Sequence, residues 1–259
     1  MQRFLRHGRH HLLEVKHLSN PLSRKGHVVE KPKDEIVFQC KPALATHTGN
    51  NNSTSKLKKK TIFFIRHGQS ESNVAREAKD PHVNTHPRFT DAKLTPLGIK
   101  QASALQGLVD KWNVDLVITS PLTRAMQTAL HAFHNVNVPM HADPMVTEYY
   151  SNLIECKGRE KELILQEEHL TSLPRFSNVC LKRVSREWWA NCDDLTRPAR
   201  FLDSTIQLPD RLCVVSHFGT INMFALHEPS VEDLQGFLFP FPFLQNCDAV
   251  ETTWLLEEP

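Results

Sequence analysis

Thr61-Ile62-Phe63-Phe64-Ile65-Arg66-His67-Gly68-Gln69-Ser70 joins a run of β-branched and aromatic residues to a polar turn carrying an arginine and a histidine. An apolar run without polar alternation is the pattern of a strand covered on both faces, as in a parallel sheet. Val114 to Thr119 and Leu212 to Val215 repeat it. Between these runs the spacing turns helical. Thr95 stands as an N-cap with Pro96 at the first helical position, and Leu97, Leu105, Leu108, Val109 and Trp112 share one face. A second helix is predicted from Ser120-Pro121, with Met126, Ala129, Leu130 and Phe133 inward, and Leu202 and Ile206 mark a third before the last run. The alternation predicts a three-layer α/β architecture, a mostly parallel sheet flanked by helices.

Residues 1 to 60 read differently. They hold 13 Lys and Arg against 4 Asp and Glu, whereas residues 61 to 259 hold 18 against 25. The first part ends in Gly49-Asn50-Asn51-Asn52-Ser53-Thr54-Ser55 and the basic Lys56-Leu57-Lys58-Lys59-Lys60. Lacking sustained periodicity, it is expected to be a disordered basic leader, compatible with an organelle transit peptide, ahead of a catalytic domain over residues 61 to 259. Since the leader supplies none of the strand-end residues, deleting residues 1 to 55 is expected to leave turnover largely unchanged. A nucleic-acid grip would place its basic charge on folded elements, so nucleic acid is not expected as a partner. The most apolar stretch, Phe237 to Leu244, is short and broken by Pro240 and Pro242, so no membrane span is expected. Six scattered cysteines without a Cys-x-x-Cys pair fit reduced thiols in an intracellular, by default cytoplasmic, setting.

Ligands of open α/β sheets bind beyond the carboxyl ends of the strands. The first run ends in Arg66-His67, the second leads into Ser120-Pro121-Leu122-Thr123-Arg124, and the third ends in Ser216-His217-Phe218-Gly219. Two arginines and two histidines thus meet at one edge. A phosphoryl group in transfer spreads charge over three oxygens and calls for cationic forks around an in-line nucleophile. A neutral imidazole can be that nucleophile, and a second one, if protonated, can donate to a phosphate oxygen. Asn73 offers an amide donor, and Glu148 is the candidate acid for the leaving oxygen, with Asp91 and Glu155 as alternatives.

Arg66-His67-Gly68-Gln69-Ser70-Glu71-Ser72-Asn73, Leu94-Thr95-Pro96-Leu97-Gly98-Ile99-Lys100-Gln101-Ala102, Ser120 to Ala129, Glu148 and Val214-Val215-Ser216-His217-Phe218-Gly219 together resemble the histidine phosphatase, or phosphoglycerate mutase-like, superfamily. The resemblance implies that His67 becomes a phosphohistidine and that Arg66, Arg124 and His217 complete the phosphate pocket. Asn73 would support the pocket, with Glu148 as proton donor and no cofactor or metal. Ser70 has two readings, binding phosphate or capping the next turn, and Gly219 is a further substrate-binding candidate. A second tripeptide, Arg6-His7-Gly8, follows no strand and is set aside. The glycine-bearing insert that marks cofactor-dependent phosphoglycerate mutases is missing after Glu148, which favours a phosphomonoester hydrolase acting on a small phosphorylated substrate. The alternatives are a phosphoglycerate-type mutase, with Lys157, Arg159 or Arg175 binding a second anion, and a weakly active module binding phosphorylated partners. Trp188-Trp189 is expected to be core or pocket wall.

Overall fold

The computed structural model describes residues 10–20, 22, 38–39, 56–149, 153–190, 194–225, 241 and 244–257. The strands are β1 (His10–Leu18), β2 (Phe38–Gln39), β3 (Leu57–Arg66), β4 (Leu116–Thr119), β5 (Met140–Ala142), β6 (Val179–Cys180), β7 (Arg211–Ser216) and β8 (Ala249–Glu257). The helices are α1 (Glu71–Glu77), α2 (Pro96–Ser103), α3 (Gln106–Val109), α4 (Thr123–Ala132), α5 (Lys161–Ile164), α6 (Glu168–Thr171), α7 (Arg197–Thr205) and α8 (Phe218–Ala225). The strands form one sheet in the order β2-β1-β8-β3-β7-β4-β5-β6. From β3 through β7, β4 and β5 to β6 every pairing is parallel; β8 joins β3 and β1 antiparallel, and β1 joins β2 antiparallel.

The unalternated run does what its composition implies. Phe63 and Ile65 face one core with Val117, Cys213 and Val215, covered by α2, α3 and α4. Ile62 and Phe64 face the other with Leu116, Ile118, Leu212 and Val214, covered by α7 and α8. Phe63 stacks on Trp112 with centroids 4.4 Å apart and the rings 7° from parallel. Burying each such side chain contributes roughly 1.5–3 kcal/mol, which makes β3 the spine of both layers. Thr95 caps α2 as read, its hydroxyl accepting from the Gly98 N–H at 3.0 Å.

Three expectations shift. The helix read through Trp112 divides into α2 and α3 around Ala104 and Leu105. The helix expected from Ser120 starts at Thr123, because the Ser120 hydroxyl accepts from the Leu122 N–H at 3.2 Å in a turn that precedes it. Most notably, His10–Leu18 lies inside the stretch read as a leader and is a strand. It pairs with β8 along its length and buries Leu12 and Val15. Residues 1–9 and most of residues 21–55, including Arg6-His7-Gly8, lie outside the described residues. Among the described residues no helix is long and apolar enough to cross a membrane.

Candidate active site

Arg66 ends β3 and His67 follows it. The His67 N–H donates to the Ser216 carbonyl at 2.9 Å, so the histidine is fixed against the end of β7. Its side chain is buried, and Nδ1 lies 2.7 Å from the Gly68 carbonyl oxygen. A carbonyl only accepts, so Nδ1 carries the proton and Nε2 keeps its lone pair. Burial, then the charges of Arg124 and Arg66, hold this imidazole well below the usual histidine pKa, so it is a neutral base at pH 7.

The His217 ring centroid is 5.1 Å from that of His67. His217 is fully buried, and neither of its ring nitrogens has a hydrogen-bond partner among the described residues. Burial, followed by Arg124, His67, Arg197 and Arg66, also holds it well below its usual pKa. It is therefore neutral in the absence of a bound anion, and a neutral imidazole still offers one N–H.

Arg66 donates through Nη1 to the Leu244 carbonyl at 2.7 Å, while its buried Nε has no partner among the described residues. Its guanidinium carbon sits 5.2 Å from the centroid of the Phe218 ring. Arg124, in the first turn of α4, is 2% exposed and donates to the Glu155 carbonyl at 2.7 Å. Glu148 Oε1 accepts from the backbone of Tyr149 at 2.9 Å and of Thr220 at 3.1 Å, which sets the carboxylate against the first turn of α8. Its charge is the first of those that offset the burial cost of the Arg66 guanidinium. Burial of the remaining groups sorts the other carboxylates. Both Asp91 oxygens accept from Thr123, at 2.7 Å each, and burial raises its pKa to about 6. Glu155 is bound by Arg76 at 2.7 Å. Asp91 thus holds the residue before Arg124, and Glu155 meets Arg124 through its backbone carbonyl.

Ser70 performs the cap among its two readings. It is the N-cap of α1, accepts from the Asn73 N–H at 3.3 Å and is fully buried. The Asn73 side-chain oxygen accepts from the Ser70 N–H at 3.1 Å and from Asn246 Nδ2 at 3.2 Å. Gly219 lies in the first turn of α8. The candidate second-anion cations are engaged elsewhere: Arg159 with Asp91 and Glu167, and Arg175 with the carbonyls of Phe133, Val136 and Val138. Lys157 is exposed. Trp188 packs in the core with its indole N–H on the Arg159 carbonyl at 2.9 Å, as expected. Among the described residues no cluster of three or more His, Cys, Asp or Glu is arranged to hold a metal ion.

Several supports escaped the sequence reading. Gln101 accepts from the Gln69 N–H at 2.9 Å, and Thr128 accepts from the Gly68 N–H at 3.0 Å. Both are polar residues on buried helix faces, a pattern that marks a polar task. Asn246 donates to the His67 carbonyl at 3.0 Å, and Cys247, held at a φ of 60°, donates to the Arg66 carbonyl at 2.9 Å. Arg197 is buried and donates to the Thr147 carbonyl at 2.9 Å, fixing the approach to Glu148. Two glycines let the helix and loop meet: a Cβ on Gly68 would lie 2.6 Å from the Gly98 carbonyl oxygen, and one on Gly98 would lie 2.1 Å from that of Gln69.

Comparison with known proteins places the chain among related sequences and folds. A phosphoglycerate mutase-like protein of Arabidopsis thaliana is 44% identical over 80 residues, 29% of this chain and 28% of the relative. An adenosylcobalamin/alpha-ribazole phosphatase of Salmonella typhimurium is 33% identical over 89 residues, 34% of this chain and 40% of the relative. The chain thus spans well under half the length of these relatives. The native structure of a mycobacterial glucosyl-3-phosphoglycerate phosphatase covers 76% of this chain and 91% of its own, with a TM-score of 0.46 and 16% identity. Residues 62–242, from the second half of β3 past the end of α8, match the model of the histidine phosphatase superfamily (branch 1), and the chain belongs to that superfamily.

Proposed function

We propose that the chain is a phosphatase that hydrolyses a small phosphomonoester through a covalent phosphohistidine at His67. The observation that carries this reading is the set of buried polar atoms without partners among the described residues, Arg66 Nε and the two ring nitrogens of His217, one of which carries an N–H, beside an imidazole whose free lone pair is on Nε2. Buried polar groups are ordinarily satisfied, so such a set suits an incoming anion. Nε2 attacks phosphorus as the P–O bond to the leaving group breaks, and Glu148, in its protonated form, delivers a proton to the departing oxygen. Water then attacks the phosphohistidine, Glu148 takes its proton, and phosphate leaves with His67 restored. Arg66, Arg124 and His217 bind the equatorial oxygens. A dianionic phosphoryl group between the two rings supplies the negative charge that the cations lack, which favours the protonated form of His217 once substrate is bound.

Hydrolysis is preferred over a mutase because Arg159 and Arg175, two of the three cations named as candidates to retain a second phosphate, are engaged by carboxylates and backbone carbonyls. The test is a rapid alkaline quench of the chain turning over a labelled phosphomonoester. Acid-labile phosphate on His67 together with released inorganic phosphate supports the reading; a positional isomer as product makes the protein a mutase, and label on serine or cysteine ends the phosphohistidine mechanism. Binding of phosphorylated molecules without any turnover would make it a recognition module.

A further inference from the structure

The segment from His10 to Leu22 has no part in the chemistry of His67, and its sequence marks it as expendable. Its polar contacts point elsewhere. β1 runs antiparallel to β8, which runs antiparallel to β3, so β1 points the same way as β3 and its carboxyl end reaches the edge where His67 stands. Asn20 arrives there fully buried. Its backbone N–H donates to Asp248 Oδ1 at 2.9 Å, its Nδ2 donates to the Gln101 carbonyl at 2.8 Å, and its Oδ1 accepts from the Leu22 N–H at 2.8 Å. His17 Nε2 lies 3.2 Å from Asp248 Oδ2.

Gln101 and Asp248 both touch the catalytic loop directly. The Gln101 side chain accepts from the Gln69 N–H, and the Asp248 carbonyl accepts from the Arg66 N–H at 3.1 Å. Gln101 belongs to α2 and Asp248 precedes β8, so Asn20 ties together the two elements that grip Arg66 to Gln69 from opposite sides. We propose that Asn20 is a positioning residue for His67: it clamps Gln101 to Asp248 and so makes the segment from His10 to Leu22 part of the catalytic unit. Buried networks of this kind fix geometry when every member is satisfied, and small displacements of reacting atoms cost rate steeply. The inference rests on His67 being the phosphoryl acceptor.

The test uses the full chain with p-nitrophenyl phosphate as probe. Asn20→Ala removes the clamp; Asn20→Asp keeps its size and its acceptor for Leu22 but loses the donor to Gln101. Lys60→Met, which removes a buried ammonium from the carbonyls of Leu208 and Pro209 toward the other end of β3, controls for stability alone. Three quantities are read: kcat and KM, the thermal midpoint, and hydrogen exchange at the Gly68 and Gln69 amides. Both Asn20 substitutions are expected to lower kcat about tenfold with KM within about twofold, and to speed exchange at Gln69, while Lys60→Met lowers the midpoint with neither effect. Unchanged Gln69 exchange, a loss of kcat no greater than in Lys60→Met, or failure of both Asn20 substitutions to fold would overturn the proposal. If the unaltered chain hydrolyses no phosphomonoester, the phosphohistidine reading falls on its own, and Gln69 exchange still decides whether the clamp exists.

Discussion

The two sides of β3 divide the labour of the site. On the parallel side, β3, β7, β4 and β5 all end at one edge, and the residues that follow them are His67, His217, the turn into Arg124, and the approach to Glu148. On the antiparallel side, β8 begins at that edge, so the residues before it reach the loop, and β1 ends there. Of those residues, Asn246, Cys247 and Asp248 hydrogen-bond to the backbone of Arg66 and His67, and Asn20 braces Asp248 in turn; none offers a reacting group. Strand direction alone makes the difference: a shared direction gathers side chains onto a substrate, while a reversed neighbour offers its entering chain as a brace.

Changes on the parallel side should therefore break chemistry without breaking the fold. His67→Ala is expected to reduce turnover about 10⁴-fold or more on any phosphomonoester while the thermal midpoint stays near that of the unaltered chain. Near-normal turnover would remove His67 from the reaction. Glu148→Gln should slow alkyl phosphates roughly 10²-fold and an aryl phosphate with a nitrophenolate leaving group much less, because a poor leaving group needs the proton and a good one does not. Equal slowing of both substrate types would reduce Glu148 to a structural role through its bonds to the α8 backbone.

Gly98→Ala sharpens the contrast from the bracing direction. The added methyl meets the Gln69 carbonyl oxygen, so α2 must withdraw from the loop, with an expected loss of about 1–3 kcal/mol in stability and a fall in kcat larger than its rise in KM. An unaffected kcat would show that the loop keeps its shape without α2. The smallest effect is on pH. His67 and His217 have folded pKa values below their unfolded ones, so the unfolded chain binds more protons, and their contribution is complete above pH 6.5 and declines as pH falls. Asp91, raised to about 6, acts in the opposite sense between pH 6 and 4. Denaturant midpoints should drop from pH 7 to pH 6 and drop less in His67→Ala with His217→Asn; an equal drop in both proteins would place the titration elsewhere.

The parallel side was legible in the sequence, since strands buried on both faces leave unbroken apolar runs and each run ends in its reactive residues. The antiparallel side was not. In β1 the pairing register slips between Leu12 and Glu14, so the buried Leu12 and Val15 are three apart and the alternation that betrays a half-buried strand is lost. Asn20 and Asn246 act through backbone groups, which leave no mark on neighbouring residue types. Arg197, too, donates to main-chain carbonyls, which any residue type can supply. That Arg66, Arg124 and the two histidines gather at one edge could be read because each follows an apolar run, whereas the cap that Ser70 supplies shows only in its position relative to α1.

The bond between His67 Nδ1 and the Gly68 carbonyl carries one more consequence, for the isomer that can form. An imidazole can be phosphorylated on either nitrogen, giving regioisomers with distinct phosphorus resonances and hydrolytic lifetimes. With the inner nitrogen engaged by the main chain, the phosphorylated species should be a single regioisomer carrying phosphate on the outer nitrogen, farthest from the backbone.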